Sequence, residues 1–130
     1  MPPGLALSIT ALADQLAIWR VGPREPLPAE PKAASLWAVV RTADELSVVG
    51  PEGEVPEGVP VERGWRALMV AGPLNFELTG VLAALAASLA EAEISIFAIS
   101  TYDTDYVLVR EDRLDDALEA LRAGGFEIAS

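Results

Sequence analysis

The sequence predicts an α+β fold of two packed modules, the first reduced mainly to strands, and three observations lead there. Short runs of branched and aromatic residues recur along the 130-residue chain. Apolar residues at helical spacing occur only in two stretches of the second half. Pro/Gly-rich links stand in the first half where helices would otherwise connect strands. With 52% hydrophobic and 22% charged residues, the composition suits a buried core and not a disordered chain.

Leu5 to Thr10 and Leu16 to Val21 read as paired strands separated by Ala13, Asp14 and Gln15. Gly22 to Pro31 follows with prolines at 23, 26, 28 and 31, which remove backbone donors and bias the preceding residues to extended geometry. No helix should cross it. Leu36 to Arg41 and Leu46 to Val49 form two strands around a turn at Thr42 to Glu45, and a second link runs from Gly50 to Pro60. Trp65 to Ala71 is a near-continuous apolar strand ended by Gly72 and Pro73.

A helix should begin near Leu78 to Gly80, because Leu82, Leu85 and Leu89 recur at helical spacing among alanines of high helix propensity. Ile94 to Ser100 and Tyr106 to Arg110 form the next strand pair, joined by Thr101 to Asp105. They are apolar on both faces, so helices must cover them. Asp112 is placed to cap a final helix whose stripe is Leu114, Ala117, Leu118 and Leu121. Gly124 should end that helix, and Phe126 to Ile128 is a last strand.

Strand, helix, strand, strand, helix, strand is the ferredoxin-like split order, βαββαβ. It fills the second half and sets the expected modules at residues 1–63 and 64–130. Trp37 to Val49 also aligns with Phe97 to Val109 at an offset of 60, with aromatic, aliphatic and acidic-turn positions coinciding. This implies a degenerate first module related to the second.

The chain has no Cys and no His, which removes thiol nucleophiles, disulfides, imidazole bases and zinc sites of the usual kind. Twenty acidic against nine basic residues give a net charge of −11, and so few cations argue against binding to nucleic acid. A cationic small molecule remains compatible with that charge. The longest uncharged stretch inside the chain, Leu78 to Ala90, is shorter than the roughly 18 residues of a membrane span. No Lys or Arg precedes Arg20 to start a signal peptide. A cytoplasmic protein without metal or cofactor is the resulting expectation. Trp19, Trp37 and Trp65 all fall in strands and read as core or subunit-contact residues.

Four blocks carry a family resemblance: Thr42 to Val49, Gly64 to Pro73, Phe76 to Leu82, and Ile94 to Arg110. Together they resemble the ACT family of small-molecule-sensing domains, specifically those at the regulatory end of aspartate kinases and the tandem ACT pairs of CASTOR-type arginine sensors. The resemblance covers most of residues 36–128. It implies a non-enzymatic regulatory module that binds a free amino acid where two ACT units meet, and works as a homodimer or through a regulated protein partner. It also implies contacts from Leu78, Thr79, Gly80 and Val81 at the helix start, and from Ile99, Ser100, Thr101 and Asp105 in the hairpin. Asp44 and Glu45 occupy the matching turn of the first half.

The residues support such a site by their own chemistry. A helix start at Thr79 and Gly80 offers backbone N–H groups and a partial positive charge to an α-carboxylate, and Gly80 permits close approach. Asp103 and Asp105 could pair with an α-ammonium or a guanidinium. Plainer readings stand beside these. Thr79 and Gly80 can be a simple helix cap, the aspartates can be solvated turn formers, and Glu45 can pair with Arg41. A ligand-free module that mediates homodimerisation or partner binding is the alternative function.

Overall fold

The computed structural model describes residues 7–71 and 80–129. Its elements are β1 (Ser8–Ala11), β2 (Leu16–Val21), β3 (Ala38–Arg41), β4 (Leu46–Pro51), β5 (Val61–Val70), α1 (Val81–Glu91), β6 (Phe97–Ser100), β7 (Asp105–Arg110), α2 (Leu114–Ala123) and β8 (Glu127–Ile128). Single 3-10 turns at Glu52–Glu54 and Glu111–Arg113 follow β4 and β7. The chain forms two compact units, Ala13–Trp65 and the residues up to Leu12 together with those from Arg66 onward. The division lies inside β5, two residues beyond the boundary expected at 63 and 64, and β1 belongs with the later unit.

In the Ala13–Trp65 unit the strand order is β3-β4-β2-β5. These are strands two, three, one and four of the split pattern, all antiparallel, with no helix between them. The β4 strand pairs with β3 from Ala38↔Val49 to Arg41↔Leu46 and with β2 from Leu16↔Pro51 to Val21↔Leu46. Where β2 meets β5, Leu16 faces Trp65 but Ile18 faces Glu62, so β5 carries one extra residue. Gly64 lies in that bulge at φ +80°, and its N–H donates to the Glu52 carboxylate at 2.6 Å.

This unit's core is Ala17, Trp19 and Val48, covered by Trp37, Val39, Val55 and Val59. The Trp19 and Trp37 rings lie 5.9 Å apart at a tilt of 59°. Gly50 is a buried residue of β4, where the sequence had suggested the start of a loop. A Cβ there would come within 2.4 Å of the Trp37 ring, so glycine is the residue that lets the indole lie on the strand.

In the other unit the order is β8-β1-β5-β7-β6. The β1 strand runs antiparallel to β5 (Ile9↔Val70, Ala11↔Leu68) and parallel to β8 (Ile9↔Ile128). The expected hairpin of β1 with β2 is therefore not formed: each pairs with a different part of β5. Val81, Leu85 and Leu89 of α1 and Ala117 and Leu121 of α2 are buried against Ile9, Leu68, Val70, Val107, Val109 and Phe126. Each buried leucine contributes about 1.5–3 kcal/mol relative to exposure. The alanines Ala83, Ala87 and Ala90 occupy the outer face of α1.

Two local expectations are corrected, the Asp112 cap and the repeat offset. Asp112 lies in the 3-10 turn, and the residue at the start of α2 is Arg113, with no side-chain cap. Gly124 ends α2 as the sequence suggests, at φ −81°, and Gly125 follows in the left-handed region at φ 96°. Gly124 also lies close to Ser88, whose hydroxyl would have to turn aside for a Cβ there. The internal repeat holds at an offset of 59 and not 60. Arg41↔Leu46 and Ser100↔Asp105 are the last pairs before their turns, and Glu52 and Glu111 open the 3-10 turns that follow.

Gly50→Ala should cost about 1–3 kcal/mol by overpacking against Trp37. Urea unfolding will show the loss, and in a Trp37→Ala background most of it should vanish, since the clashing ring is gone.

Candidate functional site

The later unit gathers its polar chemistry at the β6–β7 turn. Thr101 N–H donates to the Thr104 carbonyl at 2.8 Å, and Thr104 N–H donates to Thr101 Oγ1 at 3.2 Å, so the threonine side chain closes the turn on itself. Thr104 is the one buried polar side chain among the described residues. Its hydroxyl donates to the Val70 carbonyl at 2.7 Å, which ties the turn to the end of β5. A hydroxyl buried this deeply is tolerated because it is bonded.

That anchor leaves the neighbouring residues outward. Thr101, Tyr102 and Asp103 are exposed, with Tyr102 at 81%. Ser100 donates its hydroxyl to the Asp105 carboxylate at 2.6 Å across the mouth of the hairpin. Asp105 retains further acceptor capacity for a cation, since a carboxylate has about four lone-pair sites. Ile99, half-buried, faces Tyr106 one pair further in.

Helix α1 begins at Gly80, at φ 88° and ψ −5°, a left-handed conformation that L side chains rarely adopt. The space where its Cβ would stand is open. Among the described residues no side chain caps the helix and no acidic residue lies in its first turn, so none of them competes for its first N–H groups. Val81 is 3% exposed and packs into the core, which leaves only its backbone for a ligand. Leu78 and Thr79 lie outside the described residues.

Asp44 and Glu45 belong to the Ala13–Trp65 unit. They form a turn built like the first: both N–H groups donate to Thr42 Oγ1 at 3.2 Å, and Thr42 N–H donates to the Glu45 carbonyl at 2.9 Å. The structure thus brings together Ser100, Thr101, Asp103 and Asp105 on one turn, and Asp44 with Glu45 on another. Arg41 donates to the carbonyls of Pro23 and Glu25, so its guanidinium is directed to backbone oxygens rather than to Glu45. Thr104 is the positioning residue missing from the sequence-based set. Its signal was a lone polar residue between two aspartates at the foot of an apolar strand.

A concavity of about 300 Å³ lies elsewhere, between α1 and α2, lined by Ser88, Glu91, Ala92, Ala120, Ala123 and Gly124. It holds no cationic group, and the turn residues do not line it. Among the described residues no group of three or more carboxylates is arranged to hold a metal ion, and no helix is long and apolar enough to cross a membrane.

A family model described as ACT domain matches residues 60–123. The human cytosolic arginine sensor for mTORC1, subunit 1, is 30% identical over 132 residues, covering 93% of this chain and 40% of its own length. Its counterpart from Bos taurus is 41% identical over 59 residues, covering 45% of this chain and 18% of its own length. The chain therefore spans less than half the length of these relatives. Among solved structures, an Agrobacterium tumefaciens protein superposes with a TM-score of 0.88 at 29% identity, covering 97% of this chain and 94% of the other. The aspartate kinase of Clostridium acetobutylicum superposes with a TM-score of 0.70 at 10% identity, covering 94% of this chain and 35% of the enzyme. That last likeness is one of fold.

Thr104→Val keeps the shape of the side chain but leaves the Val70 carbonyl without its hydroxyl donor. A loss of about 1–3 kcal/mol is expected in denaturant unfolding, together with faster amide exchange at Thr101 and Thr104.

Proposed function

This chain, with an ACT domain at residues 60–123, belongs to the ACT domain family, and we propose that it is a non-enzymatic, cytoplasmic regulatory module that binds a free amino acid at Gly80 and the β6–β7 turn. The observation that carries this is the start of α1. A helix start at a left-handed glycine, with no side-chain cap and no acidic residue in the first turn among the described residues, suits an α-carboxylate. Asp105, held by Ser100, and Asp103 offer partners for the α-ammonium or a cationic side chain. Leu78, Thr79, Val81, Ile99 and Thr101 complete the proposed set in this unit; Asp44 and Glu45 are the candidates of the equivalent turn in the Ala13–Trp65 unit.

Arginine is the first ligand to test, because a relative carries an arginine sensor's name. Binding would act on a homodimer or on a protein partner through the difference in affinity between two states of the module. The competing reading is a ligand-free module that dimerises through an edge strand, since among the described residues β6 pairs with β7 alone.

Thermal unfolding against a panel of free amino acids at millimolar concentration separates the two. A ligand present at a hundred times its dissociation constant stabilises the native state by about 2.7 kcal/mol, which raises the midpoint by several degrees. One selective hit is expected. Asp105→Ala should abolish that shift. A flat panel with a concentration-dependent midpoint would favour the ligand-free dimer.

A further inference from the structure

The two hairpins are equivalent by register, by turn bonding and by the 3-10 turn that follows each, at an offset of 59. Thr42 closes its turn through Oγ1 as Thr101 does. The residues that differ are the ones at the mouth. Where the later hairpin has Ser100 bonded to Asp105, the earlier one has Arg41 facing Leu46. Arg41 does not point its charge at a carboxylate. Its two terminal nitrogens donate to the carbonyls of Pro23 and Glu25, in the connection that leaves β2. That connection corresponds in the split pattern to the one between β5 and α1.

We infer that the Ala13–Trp65 unit has no amino-acid site of its own, because Arg41 holds the β2–β3 connection across the position that the Ser100–Asp105 pair leaves exposed in the other unit. Two further features agree. The connection contains no helix, so no helix start is present to receive a carboxylate. Leu46, in the place of Asp105, is fully buried and offers no acceptor for an ammonium group. The Arg41 guanidinium satisfies carbonyls of a loop whose prolines cannot donate backbone bonds of their own. Arg41 is thus a positioning residue of a closed copy, and the chain takes one amino acid, at the later hairpin.

This inference rests on the amino-acid reading proposed above, so its test has two arms on the whole chain. Equilibrium dialysis with radiolabelled arginine, lysine, threonine and aspartate should give one molecule bound per chain at saturation. Hydrogen exchange of the intact protein should show the Glu25 amide, bonded to the Gly22 carbonyl, exchanging at least tenfold faster in Arg41→Ala, with Arg41→Lys intermediate because an ammonium cannot hold both carbonyls in the same fork. The Arg41→Ala variant should still bind one molecule per chain. Two molecules per chain in the unmodified protein, or unchanged exchange in Arg41→Ala, would overturn the inference while leaving the proposed function standing. No binding of any of the four would overturn both.

Discussion

One strand has to satisfy two sets of neighbours, and much of the structure follows from how β5 does so. In the Ala13–Trp65 unit its first residues form an edge strand beside β2. In the other unit its last residues are central, with β1 on one side and β7 on the other. The residues reflect the change. Val61, Glu62 and Arg63 are half-buried or exposed, whereas Ala67, Leu68 and Val70 are fully buried. Gly64 marks the transition, because a bulge absorbs one residue of register and only glycine takes φ +80° there without strain. The Glu52 carboxylate accepts the N–H that the bulge takes out of the ladder.

The α helices and the second-half strands were legible because their signals are local. Leu82, Leu85 and Leu89 mark one helical stripe; the structure keeps Leu85 and Leu89 at its centre and adds Val81. Partnership between strands was not legible in the same way. β1 and β2 are short, close in sequence and apolar, which is what a hairpin looks like, yet instead of each other both pair with β5, more than forty residues away. Asp14, between them, accepts two bonds from Ser35, so the segment that would have been a hairpin turn is committed elsewhere. The repeat was legible only to within one residue, since matching Trp37 with Phe97 by their rings hides the register, which sets Ala38 against Phe97.

For the candidate site, side-chain types were legible and their roles less so. Asp103 and Asp105 are separated by one residue, and sequence alone treats them alike. The fold separates them, because Asp105 opens β7 and is bonded to Ser100 while Asp103 stays in the exposed turn. The residue that makes this arrangement stiff is Thr104, whose hydroxyl reaches back 34 positions to Val70. No local pattern announces a bond of that range. Asp112 shows the opposite failure, in which a familiar capping residue is present but the chain inserts a 3-10 turn ahead of the helix.

The two units show what the split pattern needs when its helices are gone. In the later unit α1 and α2 cover one face of the sheet with leucines. In the Ala13–Trp65 unit that duty falls to Trp19 and Trp37, with Val55 and Val59 from the link after β4. An indole covers more area than a leucine, so two of them and a few valines can shield a short sheet. The cost is tight geometry, which explains why Gly50 lies beneath the Trp37 ring. Loss of the helix also removes the helix start, and with it the means of receiving a carboxylate. Structural economy in the one unit and the ligand chemistry proposed for the other therefore trace to a single difference, whether the first connection is a helix or a proline-rich strap tied down by arginine.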